Sequence, residues 1–180
     1  YVPTRYAPTF VEPTDDGLGC SLAIEMLQPY VPSRGHLVFD AGNCAATAIH
    51  RLSMHAGLTS TIALGMGGMG YALAAAIGAQ LGAEADARTL AIVGDGAFMM
   101  LGFEVHTAVE LGLPILFVVF NDGKHGMCVT RQRLLFGARF EATRYGALDV
   151  AGVARGLGDE SALWVGRAAS SASLRARLDE

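Results

Sequence analysis

Asp95 stands between Gly94 and Gly96 at the end of the apolar run Leu90 to Val93, and Asp122 lies 27 positions further on. Asp122 sits in Asn121-Asp122-Gly123, at the end of a second apolar run, Ile115 to Phe120. A glycine on each side of Asp95 permits a sharp turn and leaves the amides after it open. The spacing puts the amides of Ala97 and Phe98 at a helix N-terminus, where backbone donors and the helix dipole favour a phosphate. A carboxylate beside a phosphate is repelled unless a cation lies between them, so the pattern asks for Mg²⁺ or Ca²⁺, hard ions that take oxygen ligands. Asp95 and Asp122 offer two such oxygens, the carbonyl of Lys124 a third, and phosphate and water the rest. Taken singly, either motif reads as a turn. Together, at two strand ends, they read as a site.

Such a site needs elements that bring the two aspartates to one edge. Strand, Gly-rich turn, helix, strand and polar turn from Leu90 to Gly123 form a βαβ unit, whose two strands end on the same edge of a parallel sheet. Upstream, residues 18–27 are expected to be helical, 36–39 a strand, 45–55 a helix and 59–64 a strand or extended lead-in. Gly65-Met66-Gly67-Gly68-Met69-Gly70 then precedes an Ala-rich helix over 71–82, a composition of high helix propensity. Downstream, a helix is expected over 98–111, a loop over 123–126, helices over 129–135 and 149–156, and a short strand over 162–165. A last helix over 170–180 is capped by Ser170 or Ser171. Strict alternation of strands and helices predicts an α/β fold, a doubly wound parallel sheet with helices on both faces. The last helix should feed a final strand, and the sequence ends without one.

The chain has 180 residues, enough for one domain with a proper core. Three of its six prolines fall at Pro3, Pro8 and Pro13, so residues 1–19 are read as an extended arm or linker ahead of a domain over 20–180. A net charge of −4 with no basic stripe argues against nucleic acid. No apolar stretch approaches the ~18 residues of a membrane span, and no basic-then-apolar signal peptide opens the chain. Cys20, Cys44 and Cys128 form no CxxC pair, which argues against structural zinc and a disulfide framework and makes a reducing cytoplasm the simplest setting. The chain does not begin with Met, as expected of a fragment or a trimmed product. A Walker loop is absent. GMGGMG fits GxGxxG literally, but the acidic residue that a nicotinamide site needs about 20 positions on is not well placed.

The combined pattern resembles the diphosphate-binding domain of thiamine diphosphate enzymes. GDGAFMM, Glu104, LPILFVVFNDG and HGM are similar to that family's metal-diphosphate motif. GMGGMGYALAAAIGAQLG is similar to the GLGAMGFGLPAAIGA stretch of the acetolactate synthase and pyruvate oxidase branch, and LVFDAGNCA to the first strand and cofactor loop. The likeness covers about residues 18–165. It implies thiamine diphosphate and Mg²⁺ as cofactors, with Asp95, Asp122 and the Lys124 carbonyl as metal ligands. Asp122 stands where the family usually has Asn, a departure that keeps an oxygen ligand and adds a charge. The resemblance also implies that Gly42, Asn43 and Cys44 line the diphosphate, with Gly94, Gly96, Ala97 and Phe98 around it. Met69 matches the apolar residue that wedges the cofactor into a V, and Gly67 the residue whose carbonyl holds the 4′-amino group. His125, Gly126 and Met127 fall in the loop facing the cofactor. Glu104 is expected to pair within the domain, His36, His50 and His55 to be structural or exposed, and Arg131 and Arg133 to face solvent.

The family also needs a glutamate that hydrogen bonds the aminopyrimidine ring and drives ionisation at C2. That residue sits on a separate pyrimidine-binding domain, and no acidic residue here matches it. The chain therefore reads as the diphosphate half of a site, without a catalytic residue of its own, whose partner is a pyrimidine-binding subunit or domain in a hetero- or homo-oligomer. The implied reaction is attack of the cofactor's C2 on a small 2-oxo acid with loss of CO₂, followed by protonation to an aldehyde or addition to a second carbonyl, as in acetolactate synthesis. A subunit of a 2-oxo acid dehydrogenase, a split decarboxylase of the sulfopyruvate or phosphonopyruvate type, and a non-catalytic scaffold subunit that keeps the fold stay open beside it.

Overall fold

The computed structural model describes residues 18–146 and 148–180. The expected arm lies, apart from its last two residues, outside the described residues. Four strands, β1 (Gly35–Phe39), β2 (Leu58–Ile62), β3 (Arg88–Gly94) and β4 (Ile115–Phe120), make one sheet of order β2-β1-β3-β4 with every pairing parallel. Among the described residues eight α-helices surround it: α1 (Cys20–Leu27), α2 (Asn43–Arg51), α3 (Tyr71–Leu81), α4 (Asp95–Leu101), α5 (Glu104–Glu110), α6 (Gly126–Leu135), α7 (Val150–Arg155) and α8 (Ser171–Leu178). None is long and apolar enough to cross a membrane.

Side chains alternate across a strand, so each strand feeds two cores. Leu37, Phe39, Leu90 and Ile92 pack against α1 and α2 through Ile24, Leu27, Ala45 and Ala48. Val38, Ala91 and Val93 face the other way, against Ala72, Leu73 and Ala76 of α3, Ala97 and Phe98 of α4 and Val105 of α5. This is the doubly wound architecture with helices on both faces. Burying one aliphatic side chain such as Ile24, which is wholly enclosed, contributes about 1.5–3 kcal/mol. From β1 the chain moves outward to β2, and from β3 it moves the other way to β4. The winding thus reverses between β1 and β3, and an open parallel sheet binds its ligand in the crevice at that reversal.

Three expectations change. The helix over 98–111 is two helices, broken at Gly102-Phe103. α4 begins three residues earlier, at Asp95. Glycine is about 1 kcal/mol worse than alanine inside a helix, and here the Gly102 amide closes α4 on the Phe98 carbonyl at 2.6 Å. The helix over 45–55 runs instead from Asn43 to Arg51, because the Gln28 side chain takes the Ser53 amide and turns the chain away. The strand over 162–165 does not form. The amides of Ala162 and Leu163 both bond the Asp159 carbonyl in a turn, and Leu163 packs on the α5 side of the core. β4 is therefore an edge strand among the described residues, and all six of its apolar residues are half-buried. Ser170 caps α8 through a capping box with Ser173.

Candidate cofactor site

Asp95 ends β3 and opens α4. The residue is 3% exposed, and its carboxylate organises the turn after β4. Oδ2 accepts the amides of Asp122 at 3.0 Å and Gly123 at 2.7 Å, while Oδ1 accepts the Gly96 amide at 2.8 Å and the Tyr145 hydroxyl at 2.5 Å. The two aspartates 27 positions apart thus meet. Asp122 Oδ1 accepts the Lys124 amide at 3.2 Å, and its other oxygen lies 3.3 Å from the Lys124 ammonium. Partial burial pushes the Asp122 carboxyl above its ordinary value, the Asp95 charge pushes the same way, and the Lys124 ammonium opposes both.

Residues Gly123 to His125 are held by a short antiparallel bridge. The His125 amide donates to the Thr143 carbonyl at 2.9 Å and the Tyr145 amide to the Gly123 carbonyl at 3.1 Å, with Lys124 opposite Arg144. In such a pair the middle residue's own amide and carbonyl point away from the partner strand. The Lys124 carbonyl therefore lies on the side where its amide meets Asp122. Two carboxylates and a carbonyl form a hard-oxygen donor set. Among the described residues no group of three or more His, Cys, Asp or Glu is placed to hold a metal, so a cation here would complete its shell with diphosphate oxygens and water. The donor chemistry fits Mg²⁺, with the Tyr145 hydroxyl standing on one Asp95 oxygen.

The other expected residues gather on the same edge. A side-chain carbon added at Gly96 would come within 2.9 Å of Met69 Cε and 3.0 Å of His125 Nδ1. Gly96 is therefore where the GMGGMG loop, the GDG turn and the loop after β4 close on one another. A carbon on Gly126 would sit 3.0 Å from Asn43 Nδ2 and 3.9 Å from Asp122 Oδ2, which puts the start of α6 beside the start of α2. Cys44 Sγ lies 3.8 Å from the corresponding point on Gly94, and burial pushes its thiol up to about 12. This Cys44 is a packed apolar residue, not a thiolate. Gly42 caps α2. Ala97 and Phe98 are buried in the core. Because α4 starts at Asp95, the amides without an intrahelical acceptor end at Ala97, one residue before Phe98. Gly67 lies in an exposed turn, its amide on the Ala63 carbonyl at 2.7 Å, and a side-chain carbon added there would meet nothing within 4 Å. Met127 is half-exposed on the first turn of α6. Arg131 and Arg133 are exposed, Glu104 Oε2 accepts the Thr107 hydroxyl within α5, His36 meets the Thr59 hydroxyl on β2 and His55 the Pro32 carbonyl.

Two residues of the site escaped the sequence reading. Asp40, fully buried at the end of β1, accepts the amides of Ala41 at 2.8 Å and Gly70 at 3.0 Å on one oxygen and Ala72 at 2.8 Å on the other. It fixes the N-terminus of α3, where Gly70 adopts φ +88°, a left-handed conformation that favours glycine. Its position after an apolar strand, matching that of Asp95, was a visible signal. Tyr145 lies in a stretch without periodicity, and nothing local marked it. Its ring sits 5.1 Å from the His125 ring at a 60° tilt, and burial together with the Asp95 carboxylate raises its phenol.

A cavity of about 380 Å³, lined by Tyr30, Arg88, Thr89, Leu113 and Pro114 among others, lies at the opposite ends of β3 and β4.

Comparison with known proteins shows the family. Residues 40–180 match the family described as "Thiamine pyrophosphate enzyme, C-terminal TPP binding domain". Acetolactate synthase of Mycobacterium avium is 31% identical over 145 residues, 81% of this chain and 23% of that protein. Acetolactate synthase of Bacillus subtilis is 34% identical over 119 residues, 66% of this chain and 20% of its own length. The large subunit of acetolactate synthase from Corynebacterium glutamicum is 42% identical over 80 residues, 44% of this chain and 13% of that subunit. The chain thus spans less than a quarter of the length of these relatives.

Proposed function

The chain belongs to the thiamine pyrophosphate enzymes as a C-terminal TPP-binding domain of the acetolactate synthase branch, and from that premise we propose that it anchors the diphosphate end of thiamine diphosphate through Mg²⁺ in a 2-oxo acid decarboxylase or carboligase. The Asp122 amide on Asp95 Oδ2, at 3.0 Å, carries this reading. It sets Asp122, after β4, against Asp95, at the end of β3 beside the reversal of the sheet, on the edge where Asn43 follows β1, Met69 follows β2 and His125 follows β4.

When bound, the cofactor supplies a nucleophilic carbon that attacks the carbonyl of a 2-oxo acid. This chain's part is placement. Asp95, Asp122 and the Lys124 carbonyl hold the cation, whose task is to neutralise and anchor the diphosphate, not to activate water. The Ala97 amide and the Asn43 side chain take diphosphate oxygens. Met69, whose side chain ends beside Gly96, would pack against the cofactor. The pyrimidine end is left to a partner domain or subunit, which brings the glutamate.

Isothermal titration of the chain with thiamine diphosphate and Mg²⁺, alone and with a pyrimidine-binding partner, tests this. Wild type should bind in at least one condition, and Asp95→Ala should lose at least about 10²-fold in cofactor affinity, as expected when a charged, buried ligand is removed. Wild-type affinity in Asp95→Ala, or no binding in either condition, would sink the reading.

A further inference from the structure

An ionised carboxylate offers about four lone-pair positions, and on Asp95 all four are taken. Three are filled by the backbone amides of Gly96, Asp122 and Gly123, whose places are set by the turns that carry them. The fourth is filled by the Tyr145 hydroxyl, 2.5 Å from Oδ1. A cation that binds Asp95 must take one of these positions at about 2.0–2.1 Å. Tyr145 alone among the four donors hangs on a rotatable side chain, and it is only half-buried.

We propose that Tyr145 is a displaceable occupant of the cation position on Asp95: its hydroxyl holds Oδ1 in the cation-free chain and swings away when a divalent cation binds, so that cation affinity is set by competition with an internal donor. This rests on the reading of Asp95 as a cation ligand given above. The main chain keeps Tyr145 within reach, because its amide stays on the Gly123 carbonyl and its neighbour Arg144 bridges Lys124. The ring leans on His125, which in turn abuts Gly96 beside Met69. Displacement of the hydroxyl therefore alters the packing of His125, and the state of the cation site is felt at the side chains set to meet the rest of the cofactor. Tyr145 is a positioning residue in this scheme and takes no part in the reaction.

The test uses the full chain, with Mn²⁺ alone as the probe in an electron paramagnetic resonance titration. Tyr145→Phe keeps the ring on His125 and removes only the hydroxyl. A hydrogen bond to a charged group corresponds to a tenfold effect or more, so Tyr145→Phe should bind Mn²⁺ about tenfold more tightly than wild type. Mg²⁺ should also produce a tyrosine ultraviolet difference signal in wild type that is absent in Tyr145→Phe. Asp95→Asn should abolish both effects. Equal or weaker Mn²⁺ affinity in Tyr145→Phe overturns the proposal while leaving Asp95 as a ligand, provided binding is still lost in Asp95→Asn. Mn²⁺ binding by wild type without any tyrosine signal overturns it as well, without recourse to a variant. If no form binds Mn²⁺, the cation role of Asp95 falls together with it.

Discussion

Asp40 serves β1 as Asp95 serves β3. Each carboxylate is buried at a strand end and gathers backbone amides from the loop beyond the neighbouring helix or strand, so each aspartate ties two strand ends into one platform. Burial raises the Asp40 carboxyl above its ordinary 3.8, against the pull of the three amides that it accepts. The folded chain then holds this proton more tightly than the unfolded chain does. Between 3.8 and the raised value the native state binds more protons, so this group's contribution to stability falls as pH rises through that window. Asp40→Asn replaces one accepting oxygen by an NH₂ group, which must then face a backbone amide that has lost its acceptor. The variant should lose about 1–3 kcal/mol of stability in urea unfolding, and the gap to wild type should narrow as pH rises through the same window. A gap that widens there would mean that the three amides outweigh burial and hold Asp40 charged. The Asp95 pairing with Asp122 was legible in the sequence, because Gly-Asp-Gly and Asn-Asp-Gly each close an apolar run. Tyr145 was not, because its approach depends on a bridge between two segments without periodicity.

Elements positioned by apolar runs and glycine turns emerge where the sequence places them: β1, β3, β4 and α3 fall within two residues of expectation, since burial on both faces leaves a run of consecutive apolar residues that few other structures accept. Elements that depend on competition for backbone amides do not. Residues 162–165 have a strand's composition, yet Asp159 takes two of their amides, and Gly102 stops α4 where the apolar spacing continues. Gly96 shows how tightly the elements of the site are fitted. A methyl group there would press on the far ends of two side chains, Met69 and His125, which yield more readily than backbone. Gly96→Ala should therefore still fold, losing about 1–3 kcal/mol to overpacking, which for a chain of this size lowers Tm by roughly 2–4 °C per kcal/mol. The displaced Met69 and His125 should cost at least about tenfold in thiamine diphosphate affinity, since about 1.4 kcal/mol of lost complementarity suffices. A lowered Tm with unchanged cofactor affinity would remove both side chains from the cofactor's contacts.

At the scale of the whole molecule, the proposed function makes the site one wall of a cleft. The loop before α3 carries Met66 at 86% exposure and Leu64 at 78%. The Leu101 side chain, at the end of α4, would lie 3.1 Å from a carbon added at Gly70, so α4 and this loop form a continuous surface that also bears the exposed Met99 and Met100. Apolar groups clustered beside a polar, charge-bearing edge mark an interaction surface. Within the proposed function its occupant is the pyrimidine-binding domain or subunit. The chain by itself should then turn over no 2-oxo acid, because it lacks the glutamate, and activity should appear when that partner is added. Met66→Glu places a charge in the middle of the surface, some distance from Asp95 and Asp122 in sequence and on an exposed turn. It should leave Mn²⁺ affinity at the wild-type value while lowering the apparent affinity for the partner by roughly 10–100-fold, the range expected when a charge is left unpaired in a desolvated contact. The two readouts separate the halves of the argument: titration of the partner against activity reports the surface, and the metal titration reports the site. Turnover by the chain alone would mean that these residues contain a proton-abstracting group of their own, and full activation of Met66→Glu by the partner would move the interface away from the glycine-rich loop.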